Sequence, residues 1–157
     1  MKLEGAGLEQ QMKADSRPLW FLLVLVLLTL AAYIIASYYF GPQIRSVIDE
    51  QQRILIRSVL YVLAIATFPL TNLTRFIMVR LNQSMPGKST VRKRYFGTLL
   101  VSMVFASTIG IYGFIMFILG DDYNTLYIFC TLSALAVYLY RPKIAEYHSI
   151  VEALADD

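Results

Sequence analysis

The chain has 157 residues, of which 57% are hydrophobic and 16% charged, and its formal net charge is +3; its mean hydropathy is +0.57. A soluble domain of this length carries about 25% charged residues and about 45–50% apolar ones, so the balance excludes disorder, a collagen-like fibre and an ordinary soluble enzyme domain. Lipid is the solvent it fits. A single integral membrane domain, 1–157, suits the length.

Lys2, Lys13 and Arg17 precede a first apolar run, as in a signal peptide. That run, Leu19 to Phe40, has 22 residues, whereas an h-region has about 7–15. Glu4, Glu9 and Asp15 interrupt the basic flank, and no A-x-A site follows the run. It reads as an uncleaved first span, 19–40, with Trp20 at one end and Tyr38 and Tyr39 at the other as interfacial aromatics. Gly41-Pro42 is expected to break this helix, because proline lacks the N–H and clashes with the preceding turn. Ile44, Val47, Ile48, Gln51 and Leu55 then recur near a 3.6 period, which predicts an amphipathic helix over 43–57.

The second span, 55–76, has its apolar centre at Ser58–Thr74 between Arg57 and Arg75. Both arginines are expected to snorkel to the interface. Pro69 predicts a kink, with Thr67, Thr71 and Asn72 placed to satisfy the carbonyl it frees. A basic loop, 77–94, follows. The third span, 95–119, holds no charge. Gly120, Asp121 and Asp122 join it to the fourth, 123–140, as a tight antiparallel hairpin that ends at Arg141-Pro142. The tail, 141–157, is amphipathic through Ile144, Tyr147, Val151 and Leu154 and closes on acids. The fold class is therefore all-α: a polytopic membrane protein with four transmembrane helices in two antiparallel hairpins.

In a membrane the count of Lys and Arg, not the net charge, sets orientation. Between Arg75 and Arg94 lie six basic residues (Arg75, Arg80, Lys88, Arg92, Lys93, Arg94) and no acid. With the two tails they place eleven basic residues on one side, against Arg45, Arg53 and Arg57 on the other. Both termini and the basic loop are thus expected in the cytoplasm, and the Asp121-Asp122 hairpin outside, in a bacterial inner membrane. The six loop charges also suit an anionic leaflet, each contributing about 1 kcal/mol of attraction to lipid headgroups.

Gly87-Lys88-Ser89-Thr90 has the ending of a phosphate-binding loop. Asn82 stands where the first glycine belongs, and a helix precedes it in place of a strand. It reads as a Pro86-Gly87 turn. In the third span Ser102, Ala106 and Gly110 lie four apart, with Gly113 close by, a spacing that lets membrane helices approach closely. The fourth span offers Cys130, Ser133 and Ala134 to this face, and a seam between copies of the chain is the alternative. No Asp, Glu, Lys, Arg or His lies inside spans one, three or four. Intramembrane ionisable groups mark ion paths and proton relays, and hydrolysis in the bilayer would need a base or a metal. Asp121 and Asp122 read as a turn, Cys130 as a packing residue and His148 as solvated. No catalytic, metal or cofactor residue is assigned.

The stretch from Met103 through Ala106-Ser107-Thr108-Ile109-Gly110-Ile111-Tyr112-Gly113 to Ile115, about residues 103–117, resembles the outer helix of rotary ATP synthase proteolipid (c-type) subunits. That family has a carboxylate five residues before the tyrosine; here the residue is Ser107. The second span also lacks the family's glycine-rich face. The resemblance implies a related hairpin without ion translocation.

The expected function is non-enzymatic: an accessory, assembly or structural subunit of a membrane complex. Its partners are the lipid bilayer and a second copy or another membrane protein, with no nucleic acid and no cofactor. The alternative is a homo-oligomeric transport or channel component, with Asn72 beside Pro69 as the residue to watch.

Overall fold

The computed structural model describes the backbone of residues 2–84, 91–143, 145, 146 and 150, and the side chains of 19–82, 93–143, 145, 146 and 150. All regular structure among them is helical: α1 (Lys2–Ile44), α2 (Glu50–Ser84), α3 (Val91–Ile118) and α4 (Tyr123–Leu139). Three of these contain segments long and apolar enough to cross a membrane, Leu19–Ile44, Glu50–Asn82 and Lys93–Ile118. The fourth, α4, has 17 residues, which at about 1.5 Å of rise each covers about 26 Å. The chain has the fold of an all-α membrane protein.

Consecutive helices run antiparallel, and α3 is the hub. Helices α4, α2 and α1 all pack on α3, while α1 and α2 hardly touch one another. The two expected hairpins are therefore one bundle around a shared helix. The sequence of α3 accounts for this. Tyr95, Leu99, Met103, Ala106, Ile109 and Met116 form one buried ridge, and Thr98, Ser102 and Phe117 are buried beside it. Small residues along the same helix let its neighbours come close. By contrast α1 and α2 leave large apolar side chains exposed, among them Phe21, Leu28, Tyr39, Val62, Ile65, Leu73 and Phe76. In water that much exposed apolar surface would be a liability; facing lipid it is the stable arrangement, with the helical backbone satisfied internally.

Several boundaries differ from the sequence expectations. Helix α1 runs through Gly41-Pro42 to Ile44. Proline keeps a φ that suits a helix, although its missing N–H leaves the carbonyl one turn back, that of Tyr38, without its usual donor within the helix. Gly41 serves packing: a Cβ there would lie 3.0 Å from Phe117 Cζ and 3.5 Å from Tyr123 Oη. The expected amphipathic helix over 43–57 is split, because residues 45–49 are not helical and α2 begins at Glu50. These five residues lie across the end of α3, with Ser46 N–H donating to Ile118 O at 2.7 Å and Ile48 N–H to Leu119 O at 3.5 Å. The basic loop 77–94 is much shorter than expected, since α2 continues to Ser84 and α3 starts at Val91.

Helix α2 passes unbroken through Pro69. Thr67 and Thr71 donate to Leu63 O and Thr67 O, at 2.7 and 2.6 Å. Neither therefore reaches Ile65 O, the carbonyl whose usual donor Pro69 removes, and Asn72 points away, exposed.

Candidate functional site

The described charged side chains gather at the two ends of the bundle. Each end is built on a helix C-terminus, whose last carbonyls lack partners within the helix and carry the negative end of its dipole.

At the hairpin end, α3 closes on Gly120, whose φ of +91° is open to glycine and strained for other residues. A Cβ there would also sit 3.0 Å from Val47 Cα. Three arginines converge on this turn. Arg45 Nη2 donates to Gly120 O at 2.8 Å and Asp121 O at 2.9 Å. Arg53 Nη1 lies 3.4 Å from Gly120 O, and Arg57 Nη1 forms an ion pair with Asp121 Oδ1 at 3.1 Å. Asp121 is 2% exposed, and its Oδ2 is buried without a partner among the described residues, as is Arg53 Nε. Aromatic rings line the same end. Arg45 stands over the Phe117 ring at 5.7 Å. Tyr123 stacks on Tyr38 at 5.1 Å and tilts against Phe117 at 4.9 Å. The Tyr38 and Tyr127 hydroxyls are hydrogen-bonded to one another.

At the opposite, tail end, Arg75 closes α4. Its place at the end of an apolar run, beside the basic loop, predicts a guanidinium at the lipid headgroups; Arg75 is 4% exposed and faces inward. Nη1 donates to Tyr140 O at 2.6 Å and Nη2 to Arg141 O at 3.2 Å. Nε and Nη2 grip the Glu146 carboxylate, at 3.0 and 2.7 Å. The α4 carbonyls and the Glu146 carboxylate together give all three guanidinium nitrogens an acceptor, an arrangement that suits a planar fork. Tyr140 donates to Phe68 O at 2.7 Å, and Tyr95 Oη accepts from Lys143 N–H at 2.7 Å. Asn82 joins α2 to α3, donating to Arg94 O at 3.2 Å and Thr98 Oγ1 at 3.0 Å, while Arg94 Nη1 donates back to Asn82 O at 2.9 Å.

The other basic residues singled out from the sequence divide. Arg80 is exposed, with its guanidinium 5.4 Å from the Phe76 ring centroid, and Lys93 is exposed. Lys88 lies outside the described residues, as does the side chain of Arg92. So do the Gly87–Thr90 turn, Ile144, Tyr147, His148, Val151 and the acidic chain end.

In the packing face, Ser102 and Ala106 are buried. A Cβ on Gly110 would collide with Leu30 Cδ2 and lie 3.4 Å from Ser133 Oγ; one on Gly113 would lie 2.6 Å from Phe129 Cβ and 3.3 Å from Leu126 O. Ser133 donates to Ala106 O at 2.6 Å, crossing from α4 to α3. These small residues therefore face α1 and α4 of the same chain. Within one chain, then, α1 and α4 fill this face.

Sequence reasoning did not find the convergence at Asp121. A signal was present: Arg53 and Arg57 are four apart on one helix face, and with Arg45 they are the only basic residues in that connection. Among the described residues no three His, Cys, Asp or Glu side chains group as a metal site. Comparison of the chain with protein-family models, curated proteins and solved structures returns no match.

Proposed function

We propose that this chain is a small integral membrane protein acting as a non-enzymatic accessory, assembly or structural subunit of a membrane complex. The observation that carries this reading is where the polar groups go. Arg45 and Arg75, at the two ends of the bundle, hold helix ends, and the hydroxyls of Ser37, Thr67, Thr71, Ser102 and Thr108 bond to carbonyls one turn back in their own helices. Such groups stabilise a scaffold; a transport path or a catalytic centre would leave them facing a cavity. Ser107, at the place of the proteolipid carboxylate, donates to Val104 O at 2.9 Å, in keeping with a hairpin that moves no ion. Topologically, we place both termini and the α2–α3 connection in the cytoplasm of a bacterial inner membrane.

Mild-detergent purification followed by native mass measurement tests the reading. One stoichiometric membrane-protein partner, with no flux in liposomes, is the expected result. The second reading, a homo-oligomeric transport component, is favoured by Asn72, an exposed amide on α2 without a hydrogen bond among the described residues. A homo-oligomer with flux that disappears in Asn72→Ala would establish that reading in place of the first.

A further inference from the structure

The arginine cluster at the hairpin end holds more positive charge than its structural task requires. The α3 terminus already receives backbone donors from Ser46 and Ile48 at Ile118 O and Leu119 O, and a single guanidinium, that of Arg45, spans both remaining turn carbonyls. Yet Arg53 and Arg57 are drawn to the same place, from one face of α2. Against these three cations stands one ion-paired carboxylate, Asp121. The neighbouring acids do not restore the balance: Asp49, Glu50 and Asp122 are exposed, and the described ion pairs are Arg57–Asp121 and Arg75–Glu146. Asp49 is engaged locally, accepting from Gln51 N–H at 3.2 Å.

We propose that Arg45, Arg53 and Arg57 form a binding site for a phosphate-type anion, either the phosphodiester of a phospholipid headgroup or free phosphate. Each guanidinium is held at the turn through one nitrogen only, Nη2 of Arg45 and Nη1 of Arg53 and Arg57. A planar fork anchored by one prong keeps the other for a second acceptor, which is the geometry that suits phosphate oxygens. Access is open, since Arg45 is exposed and the Arg57 side chain is 34% exposed. Depth agrees as well. Arg57 and Arg75 sit about 27 Å apart along α2 at about 1.5 Å per residue, close to the roughly 30 Å of a hydrocarbon core. The cluster lies among Tyr38, Tyr123 and Tyr127, at the level where interfacial aromatics and headgroups meet.

The site does not depend on which partner the protein assembles with, and its test is separate. The purified full chain is examined by native mass measurement with phosphatidylglycerol or with diacylglycerol, which lacks the phosphate, with and without inorganic phosphate as competitor. Phosphatidylglycerol should be retained and diacylglycerol should not. Retention should fall by about fivefold or more in the Arg45→Gln/Arg53→Gln variant, which keeps the Arg57–Asp121 pair, and hold in Arg80→Gln/Lys93→Gln at the other end. Displacement by inorganic phosphate identifies a site that takes the free anion; resistance to it identifies a lipid site. The wild-type chain supplies a readout independent of variant folding: phosphate should raise its Tm above that in chloride of equal ionic strength, or phosphatidylglycerol above diacylglycerol. Equal retention of the two lipids with equal Tm in the two salts would overturn the proposal, as would full retention in a folded Arg45→Gln/Arg53→Gln variant.

Discussion

Arg75 shows how far one side chain's role can lie from its place in the sequence. At the end of an apolar run, an arginine is expected to reach for water. Its real partners are Glu146, 71 residues away, and two carbonyls at the end of α4. No spacing rule connects them, because the contact exists only once α2 and α4 have both packed on α3. Removing one member of a buried pair leaves the other uncompensated and costs about 3–5 kcal/mol. Glu146 is 23% exposed and so partly screened, which puts Arg75→Ala nearer about 3 kcal/mol. Arg75→Lys should recover less than half of that loss, since an ammonium cannot span carboxylate and carbonyls as a planar fork does. Unfolding in mixed micelles measures both. A loss under about 0.5 kcal/mol for Arg75→Ala, the ordinary size of a surface change, would show that the fork does not hold the α4 end.

For the helices, the informative comparison is among the glycines of α3. A Cβ on Gly97 would meet nothing within 4 Å, so Gly97→Ala should stabilise by about 0.5–1 kcal/mol through helix propensity alone. Gly110 faces the tip of Leu30, a flexible end that can turn aside. Gly113 faces Phe129 Cβ at 2.6 Å and the Leu126 carbonyl at 3.3 Å, neither of which can move without moving α4. Gly113→Ala should therefore cost about 1–3 kcal/mol and Gly110→Ala less, with Gly110→Leu overfilling the contact and loosening the bundle. Thermal unfolding of the three alanine variants in one detergent gives the order directly, and equal shifts at all three sites would refute it. The four-residue spacing of Ser102, Ala106 and Gly110 can be read along the chain. That α1, and not only α4, fills the space against it cannot, because a small residue records close approach without recording what approaches. Gly41-Pro42 misleads for a related reason: its local preference is to end a helix, and the contact with Phe117 and Tyr123 sets its use instead. The four helices were visible because hydropathy and length report on lipid solvation directly. The arginine ends were not, because they join elements far apart in sequence.

At the scale of the whole molecule, the two arginine-built ends bear on the charge count from which the orientation is proposed. Positive residues are depleted on the translocated side of a membrane protein, so three arginines in the connection expected there look like noise against the eleven on the other side. Arg45, Arg53 and Arg57 all engage the Gly120–Asp121 turn. Arg45 thus has a structural task at that turn, and Arg53 and Arg57 the anion site proposed beside it, so the three have a local role apart from orientation. If so, the remaining basic residues set the topology, and Asp122 should face out while Lys93 faces in. Both residues are exposed. Asp122 precedes α4 without a side-chain cap bond, so a cysteine there should disturb little, and the native Cys130 is buried and should give low background. A membrane-impermeant thiol reagent applied to intact spheroplasts should label Asp122→Cys at once and Lys93→Cys only after permeabilisation. The same pattern should persist when Arg45 and Arg53 are replaced by glutamine, because losing charge on the outer side only steepens the imbalance. Labelling of Lys93→Cys in intact spheroplasts, with Asp122→Cys protected, would reverse the topology and place the arginine cluster against the cytoplasmic leaflet.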